Sequence, residues 1–409
     1  MREINTENFN LFSPKNEREN IQLDLIRIKN AIKKLNNPCI NIPAIQIIGT
    51  NGKGSITSFL ENIICRTEIK IGVTTSPHLF DIKERIKVNK LKIKQDEFEK
   101  LLKKIQKDIK EFQLSPFEII ICCSLSFFDQ QNVDLLLLEA GLGGRLDATT
   151  AHKLRPIIAI GNIGKDHTEY LGESIEEIAR EKVAVIEKDS IVVSCNQLIK
   201  VENIINERVK KTGAKMFWVK PLSKDWEIGL KGSFQRENAA VALKVIKILI
   251  SIGWKIKNND IKKGLAKTKW HGRLELINWN NKKILVDSAH NSSAARALSN
   301  ERKNWLHQEN GVYWIIGIQK QKNISSILKN LIKPIDTILL VPVPHQKSWT
   351  LKEILDIANF ESEKILEFNN FTDALIYIDK LNTWPDCHPV LTGSIFLVSE
   401  FIKFTRINS

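Results

Sequence analysis

One short segment combines the groups that phosphate binding requires, Gly49-Thr-Asn-Gly-Lys-Gly-Ser55. Glycines let the backbone approach an anion closely, and the amides at the start of a helix point towards it. The Lys53 ammonium adds positive charge, and the Ser55 hydroxyl can face a magnesium ion that bridges the phosphates. Only two residues, rather than the usual four, separate the first glycine from Gly-Lys. We interpret the segment as a shortened nucleotide phosphate loop. The alternative is a glycine-rich turn that binds nothing.

An acid and an imidazole follow two other apolar runs. Glu139 comes directly after four leucines, and Asp166-His167 follows the run 157–160. In an open α/β sheet, ligands bind at the carboxyl ends of the strands. A carboxylate after an apolar strand is costly unless a cation meets it. We therefore predict that Glu139 and His167 hold a metal at the same mouth as Ser55, the alternative for His167 being a histidine without a role.

The elements that position these groups alternate between strand and helix. Apolar residues at 45, 47 and 48 predict a buried strand before the loop, and those at 56, 59, 60 and 63 recur at helical spacing after it. The run 133–138 is apolar on both faces, as a central parallel strand is. Helices are also predicted over residues 21–35 and from about Glu237 to Ile250, with Asn238 at the start of the latter.

A second unit is predicted after the stretch 264–271. It begins with a hairpin around Asn280-Asn281 and continues with further strands and helices. We therefore predict an α/β protein of two domains. Residues 1–272 form a phosphate-loop ATP-binding domain with a mostly parallel sheet, and residues 273–409 form a smaller, Rossmann-like α/β domain.

The composition limits the partners. The net charge of +14 favours anionic small substrates, but no arginine-rich tract or ladder of basic and aromatic residues indicates nucleic acid. Six cysteines without a Cys-x-x-Cys pair indicate reduced thiols. The first residues lack the apolar core that a signal peptide has, and no apolar run approaches the ~20 residues of a membrane span. We expect a cytoplasmic monomer that binds neither nucleic acid nor membranes.

Together the motifs resemble the folylpolyglutamate synthase and dihydrofolate synthase family, which is part of the Mur ligase superfamily. Each motif alone is weak, whereas six in the right order are highly specific, and the similarity spans nearly the whole chain. They are the phosphate loop, Thr75-Ser-Pro-His-Leu79, Leu138-Glu-Ala-Gly-Leu-Gly-Gly-Arg-Leu-Asp-Ala-Thr149, Asp166-His167 with Leu171-Gly172, Arg180-Glu-Lys182 and Asp287-Ser-Ala-His-Asn291.

The resemblance implies an ATP-dependent ligase that adds L-glutamate to dihydropteroate, to reduced folates that already carry glutamates, or to both. The substrate carboxylate attacks the γ-phosphate of ATP, and the amino group of glutamate then displaces phosphate from the resulting acyl phosphate. No protein nucleophile is required, so catalysis consists of positioning and charge neutralisation. The expected cofactor is Mg²⁺, as two ions, with ATP as co-substrate.

The resemblance also assigns catalytic residues and metal ligands. Lys53, His167 and Lys182 are the expected catalytic residues, and Ser76, Glu139, His167 and Lys182 are the expected metal ligands. Lys182 is expected to be carried as a carbamate, because an ammonium beside a divalent cation would be repelled. The alternative is that Lys182 pairs with Glu181 or Glu187, or contacts a phosphate directly.

Substrate contacts follow from the same resemblance. The loop 77–88 is expected on the pterin side, with Ser76, Pro77, His78 and Arg85 as substrate-binding residues. ATP is expected in the cleft between the two domains, bound by Gly49, Thr50, Asn51, Gly52, Lys53, Gly54, Ser55, Asn238, Arg273, Asp287 and His290.

Two other functions are open at this point. A Mur-type ligase that extends a cell-wall precursor shares the phosphate loop but usually carries an extra N-terminal domain, for which the 48 residues before Gly49 leave no room. A phosphate-loop nucleic-acid ATPase would exploit the +14 charge. The chain also departs from the family at Thr150, where relatives have asparagine, and at 317–320, so the residues that bind glutamate are not assigned.

Some single residues are ambiguous. Arg145 and Asp147 either pair with each other or contact substrate. His152, His307 and His345 are expected to be surface histidines without a role.

Overall fold

The structure is a computed structural model that describes residue 12 and residues 23–357, 364–381 and 383–407. Within these residues, strands and helices alternate as the sequence predicts, and the α/β class is confirmed. The chain divides into two compact units, Met1–Gly229 with Gln235–Lys269, and Leu230–Phe234 with Trp270–Ser409. That each unit is an independent domain with a boundary at residue 272 stays a prediction.

The first unit is built on a mostly parallel sheet. Its strands are β1 (Ala44–Ile48), β2 (Ile71–Thr74), β3 (Lys87–Val88), β4 (Leu91–Lys92), β5 (Leu135–Glu139), β6 (Ile157–Ile160), β7 (Ile191–Cys195) and β8 (Lys215–Val219). They lie in the order β4-β3-β2-β5-β1-β6-β7-β8 in the described residues. The six strands from β2 to β8 in this order are parallel, while β3 and β4 pair antiparallel at one edge. Every residue of β1 and β5 is buried, as strands covered on both faces require.

Helices cover the two faces of this sheet, as in other α/β proteins. They are α1 (Ile26–Lys34), α2 (Lys53–Ile64), α3 (Gln95–Asp108), α4 (Pro116–Gln130), α5 (Thr168–Leu171), α6 (Ile175–Val183), α7 (Ile199–Thr212), α8 (Ser233–Ser251) and α9 (Asn258–Ala266). Short 3-10 helices lie at Ile82–Arg85, Lys110–Phe112 and Ala148–Ala151.

Local sequence explains several helix starts. Helix α4 begins with a capping box: the amide of Glu118 donates to Ser115 Oγ, and the amide of Ser115 donates to Glu118 Oε2 at 2.7 Å. Helix α8 begins at Ser233 rather than at Glu237, so Asn238 lies in its second turn and the predicted start is wrong. Helix α1 begins at Ile26, and residues 21 and 22 of the predicted helix lie outside the described residues.

The second unit has its own sheet. Its strands are β9 (Glu275–Trp279), β10 (Lys282–Val286), β11 (Tyr313–Ile316), β12 (Thr337–Leu340), β13 (Ile365–Glu367) and β14 (Val390–Thr392), in the order β13-β12-β11-β14-β10-β9. All pairs are parallel except the predicted hairpin β9–β10. Its two turn residues, Asn280 and Asn281, have φ of 47° and 60°, which asparagine tolerates well.

Helices again accompany the strands of this unit. They are α10 (Ser292–Glu301), α11 (Ile324–Leu331), α12 (Leu351–Ile357), α13 (Phe371–Asp379) and α14 (Ile395–Ile407), with short 3-10 helices at Arg302–Asn304 and Gln308–Asn310. None of the helices in the described ranges has the length and apolar character of a membrane span.

Candidate active site

The phosphate loop joins β1 to α2 through two glycines in unusual conformations. Gly49 has φ +143° and Gly52 has φ +86°. A Cβ on Gly49 would lie 3.1 Å from the backbone of Gly161, which follows β6, and a Cβ on Gly52 would lie 2.4 Å from Asn238 Oδ1. Both positions therefore require glycine, for conformation and for space.

The amides of this loop have two different uses. The amides of Thr50 and Asn51 both donate to the carbonyl of Asn162, at 2.7 and 3.0 Å, and so tie the loop to the segment after β6. Helix α2 begins at Lys53 with Gly52 as its N-cap. The amides in its first turn have no acceptor within the helix, so they are the backbone donors best placed for an anion. They belong to Lys53, Gly54 and Ser55, of which Ser55 is buried.

Two lysines converge on the carbonyl oxygen of Gly49. Lys53 Nζ donates to the carbonyls of Gly49 and Thr50, both at 3.1 Å, and Lys182 Nζ on α6 donates to the Gly49 carbonyl at 3.1 Å. Lys182 is 5% exposed. Burial, followed by the charge of Lys53, lowers the pKa of Lys182 to about 7. A substantial fraction of this side chain is therefore an uncharged amine near neutral pH.

The carboxylates considered as partners of Lys182 are engaged elsewhere. Glu181 Oε2 lies 2.9 Å from Arg145 Nε, and Glu187 Oε1 lies 3.0 Å from Arg155 Nη2. An ion pair of Lys182 with either glutamate is therefore not what the structure shows.

The loop after Glu139 is held by Asp147. Asp147 Oδ2 accepts the amides of residues 141 and 142, both at 2.8 Å, and Oδ1 accepts the amide of Thr149 at 2.9 Å. The pairing of Asp147 with Arg145 that the sequence allowed is wrong, because Asp147 is buried under these amides while Arg145 reaches α6. The same loop approaches Lys182 closely, since a Cβ on Gly144 would lie 2.3 Å from the Lys182 carbonyl oxygen.

Glu139 and His167 follow strands on either side of β1. Glu139 ends β5, is 3% exposed, and lies opposite Ile47 of β1. His167 follows β6, has φ +52° at the start of α5, and its side chain is 41% exposed. Its Nε2 lies 3.9 Å from Asp166 Oδ2. The carboxyl ends of β5, β1 and β6 thus carry Glu139, the phosphate loop and His167 at one edge of the sheet.

The loop 77–88, predicted on the pterin side, is organised around Glu84. Its carboxylate accepts the amides of residues 79 and 80, at 2.8 and 3.3 Å. Arg85 is buried, and its Nε donates to His78 Nδ1 at 3.1 Å. The structure therefore brings His78 and Arg85 together, while Ser76 and Pro77 follow β2 after one intervening residue.

Two of the predicted metal ligands, Glu139 and Ser76, offer the oxygen atoms that suit magnesium. Glu139 offers a buried carboxylate and Ser76 a hydroxyl at the ends of the neighbouring strands β5 and β2. Hydroxyl and carboxylate oxygens are the ligands that Mg²⁺ prefers, and a bound cation would stabilise a buried carboxylate. Among the described residues, no group of three or more His, Cys, Asp or Glu side chains forms a metal centre by itself. The ligand set of Ser76, Glu139, His167 and Lys182 stays a prediction.

The predicted nucleotide residues of the second unit surround one turn after β10. Asp287 is buried and accepts the amides of Leu274 and Ala289 at 3.0 and 2.9 Å. Burial raises the pKa of Asp287, although the charge of Arg273 opposes this. His290 Nδ1 lies 2.8 Å from the carbonyl of residue 288. Contacts of these residues with ATP, and an ATP site between the units, stay predictions.

Sequence reasoning missed a buried polar network below the loop. Gln46 in the middle of β1 is 0% exposed, and its Nε2 donates to the hydroxyls of Thr149 and Thr150 at 2.9 and 2.7 Å. Arg155 Nη1 donates to Gln46 Oε1 at 2.7 Å, and the Thr150 hydroxyl donates to the carbonyl of Gly144 at 2.7 Å. The sequence signal that could have indicated this network is Gln46 itself, the one polar residue in the otherwise apolar strand β1.

Of the three histidines to which no role was assigned, two are exposed and one is buried. His307 and His345 are exposed, as expected. His152 is buried instead, with Nε2 2.9 Å from the carbonyl of Ile42, so its prediction as a surface residue is wrong. Burial lowers the pKa of His152, which favours the neutral ring.

Two family models match the chain. Residues 47–220 match the Mur ligase middle domain, and residues 272–404 match the dihydrofolate synthetase C-terminal domain.

Individual relatives match over almost their full length. The chain is 31% identical to a dihydrofolate synthase/folylpolyglutamate synthase of Buchnera aphidicola subsp. Schizaphis graminum, covering 93% of this chain and 92% of the relative. It is 26% identical to a dihydrofolate synthetase of Saccharomyces cerevisiae, covering 94% and 98%. Among solved structures, a folylpolyglutamate synthase of Thermotoga maritima aligns with a TM-score of 0.79 at 26% identity, covering 97% of this chain and 96% of that one.

Proposed function

Because the chain belongs to the dihydrofolate synthase/folylpolyglutamate synthase family, we propose that it is an ATP-dependent ligase that joins L-glutamate to a pteroate or folate carboxylate. The observation that carries this proposal is the convergence of Lys53 and Lys182 on Gly49, beside the strand that ends in Glu139. A Mur-type ligase is disfavoured, because the C-terminal residues 272–404 match the dihydrofolate synthetase model.

The proposed chemistry has two steps. A carboxylate oxygen of the pterin substrate attacks the γ-phosphorus of ATP, and the bond to the leaving ADP breaks to give an acyl phosphate. The amino nitrogen of glutamate then attacks the acyl carbon, loses a proton and displaces phosphate. The chain supplies position and charge: the first-turn amides of α2 and the Lys53 ammonium face the phosphates, because the helix start and the lysine lie in the same loop.

The proposal includes two Mg²⁺ ions. Ser76, Glu139 and His167 would bind the first ion, and the second would lie beside Lys182. When bound, Mg²⁺ would neutralise charge on the phosphates. A related enzyme from Yersinia pestis was solved with AMPPNP and an Mn ion, which supports a nucleotide and a divalent metal for the family.

Lys182 is proposed to work as a carbamate. Its amine nitrogen attacks carbon dioxide, a nitrogen–carbon bond forms and one proton is released, so an uncharged amine becomes an anion. Burial of Lys182 and the nearby Lys53 charge both favour the loss of its own proton. The anion would pair with Lys53 or with a cation, whereas an ammonium at this place repels both.

The substrate range is proposed to include dihydropteroate and reduced folates. Relatives named for both activities, such as the Buchnera enzyme and one from Bacillus subtilis, support this breadth. The test is incorporation of labelled L-glutamate in the presence of ATP and Mg²⁺, with dihydropteroate, tetrahydrofolate and a tetrahydrofolate diglutamate offered separately. Omission of ATP is the control. Label in none of the three products would contradict the proposed function, and label in only one would restrict it.

A cytoplasmic location is part of the proposal, and the six free cysteines support it. The expectation of a monomer is part of the same proposal.

A further inference from the structure

Gln235 makes a buried hydrogen bond to Asn238, the residue of α8 that contacts the phosphate loop. It lies three residues before Asn238 on α8, and its side chain is 0% exposed. Its Oε1 accepts a hydrogen bond from Asn238 Nδ2 at 3.0 Å. Residues three apart on a helix lie on the same side, so the amide of Gln235 can reach that of Asn238, and it is Asn238 that lies against Gly52.

Asn238 depends on this contact for its position. A Cβ on Gly52 would lie 2.4 Å from Asn238 Oδ1, so the amide of Asn238 lies against the backbone of the loop. A side-chain amide has a donor end and an acceptor end of nearly equal size, and a free asparagine can present either end. The hydrogen bond to Gln235 restricts both the rotation and the place of this amide.

The amide nitrogen of Gln235 lowers the contribution of this residue to stability. Gln235 Nε2 is buried, and among the described residues it has no hydrogen-bond acceptor. A buried donor without an acceptor costs folding free energy, whereas an apolar side chain of the same shape does not. The unpaired Gln235 Nε2 therefore offsets part of the stability that the hydrogen bond to Asn238 provides.

We propose that Gln235 is a positioning residue for the nucleotide. It holds the amide of Asn238 beside Gly52 and so fixes the polar surface that an adenine nucleotide meets next to the phosphate loop. This inference rests on the proposed function, because it takes Asn238 as a nucleotide-binding residue.

Gln235→Met tests the proposal, since methionine keeps the length of the side chain and removes both polar ends. The dissociation constant of a non-hydrolysable ATP analogue with Mg²⁺ is measured by calorimetry on the full chain, together with the melting temperature. We expect binding weaker by roughly three- to tenfold, the effect of one neutral hydrogen bond. The melting temperature should stay close to that of the wild type, because the change removes the unpaired Gln235 Nε2 but takes the acceptor of Asn238 Nδ2 away. Leu249→Met, a buried position on the same helix, is the control and leaves binding unchanged.

A second background separates positioning from packing. If Gln235 acts through Asn238, Gln235→Met weakens binding by less than about twofold when Asn238→Ala is already present. Three results would overturn the inference while the wild type still binds the nucleotide. The first is that Gln235→Met weakens binding as much in the Asn238→Ala background as in the wild type. The others are an unchanged dissociation constant for Gln235→Met and a melting temperature lower than that of Leu249→Met. Absence of binding by the wild type would overturn the proposed function and the inference together.

Discussion

At the residue scale, the central feature is one carbonyl oxygen shared by two lysine side chains. Lys53 and Lys182 each donate to Gly49 at 3.1 Å, and burial, followed by the charge of Lys53, lowers the pKa of Lys182. Two cations near one neutral acceptor repel each other, and an anion beside them removes that repulsion. The phosphates of ATP, or a carbamate on Lys182, would supply it.

Replacing Lys53 tests the catalytic part of this arrangement. Lys53→Ala should lower kcat by about 10²–10³-fold, because one preorganised donor to a transition state is worth about 3–4 kcal/mol. The side chain is not part of the hydrophobic core, so the melting temperature should change little. The measurements are steady-state turnover and thermal unfolding, with the exposed Lys211→Ala as control. Turnover within threefold of the wild type would show that the loop is not catalytic.

The carbamate makes a separate prediction with a defined pH dependence. Carbon dioxide adds only to the neutral amine, whose fraction rises as the pH increases through the Lys182 pKa of about 7. We therefore expect a carbamate signal from ¹³C-bicarbonate in NMR spectra that grows from pH 6 to pH 8 and is absent in Lys182→Ala. Added short carboxylates should partly restore the activity of that variant. An unmodified lysine in a crystal with Mg²⁺ and nucleotide grown with bicarbonate, together with no rescue, would exclude the carbamate.

At the element scale, the turn from β1 into α2 depends on Gly52. Gly52→Ala should weaken nucleotide binding at least tenfold and destabilise the fold by about 1–3 kcal/mol, because φ +86° is strained for alanine and its Cβ would displace Asn238. Gly213→Ala is the matched control: it has φ +71° and nothing within 4 Å of its Cβ position. Gly213→Ala introduces a similar backbone strain without a steric clash. If both variants changed nucleotide binding equally, the contact between Gly52 and Asn238 would not be needed for binding.

The same elements show how far sequence reasoning reached. The strand, loop and helix around Gly49 were predictable, because apolar periodicity and glycine chemistry are local properties. The start of α8 was missed by four residues, since its early turns carry few apolar side chains and the pattern begins later. The roles of Gln46, Asp147 and Arg155 could not be predicted, because each bonds to residues that are distant in sequence or in a loop.

At the scale of the whole molecule, the +14 charge leaves the nucleic-acid hypothesis to be tested. Binding through phosphate contacts falls steeply with salt. We expect a labelled single-stranded oligonucleotide to bind only at low ionic strength and to be released at about 0.2 M salt, while binding of an ATP analogue with Mg²⁺ persists. Fluorescence anisotropy for the first and calorimetry for the second give the comparison. Tight oligonucleotide binding at that salt concentration would favour a nucleic-acid partner.

Two helices that pack together in the first unit lie far apart in the sequence, and this affects the protein during its synthesis. Helix α9 packs on α2, where a Cβ on Gly264 would lie 2.6 Å from Ile63. These two residues leave the ribosome 201 positions apart, which at roughly 5–20 residues per second is a delay of roughly 10–40 s. During that interval the phosphate-loop helix has been made, but the helix that covers it has not. The α2 surface around Ile63 is then a transient apolar surface of the kind that chaperones bind on nascent chains.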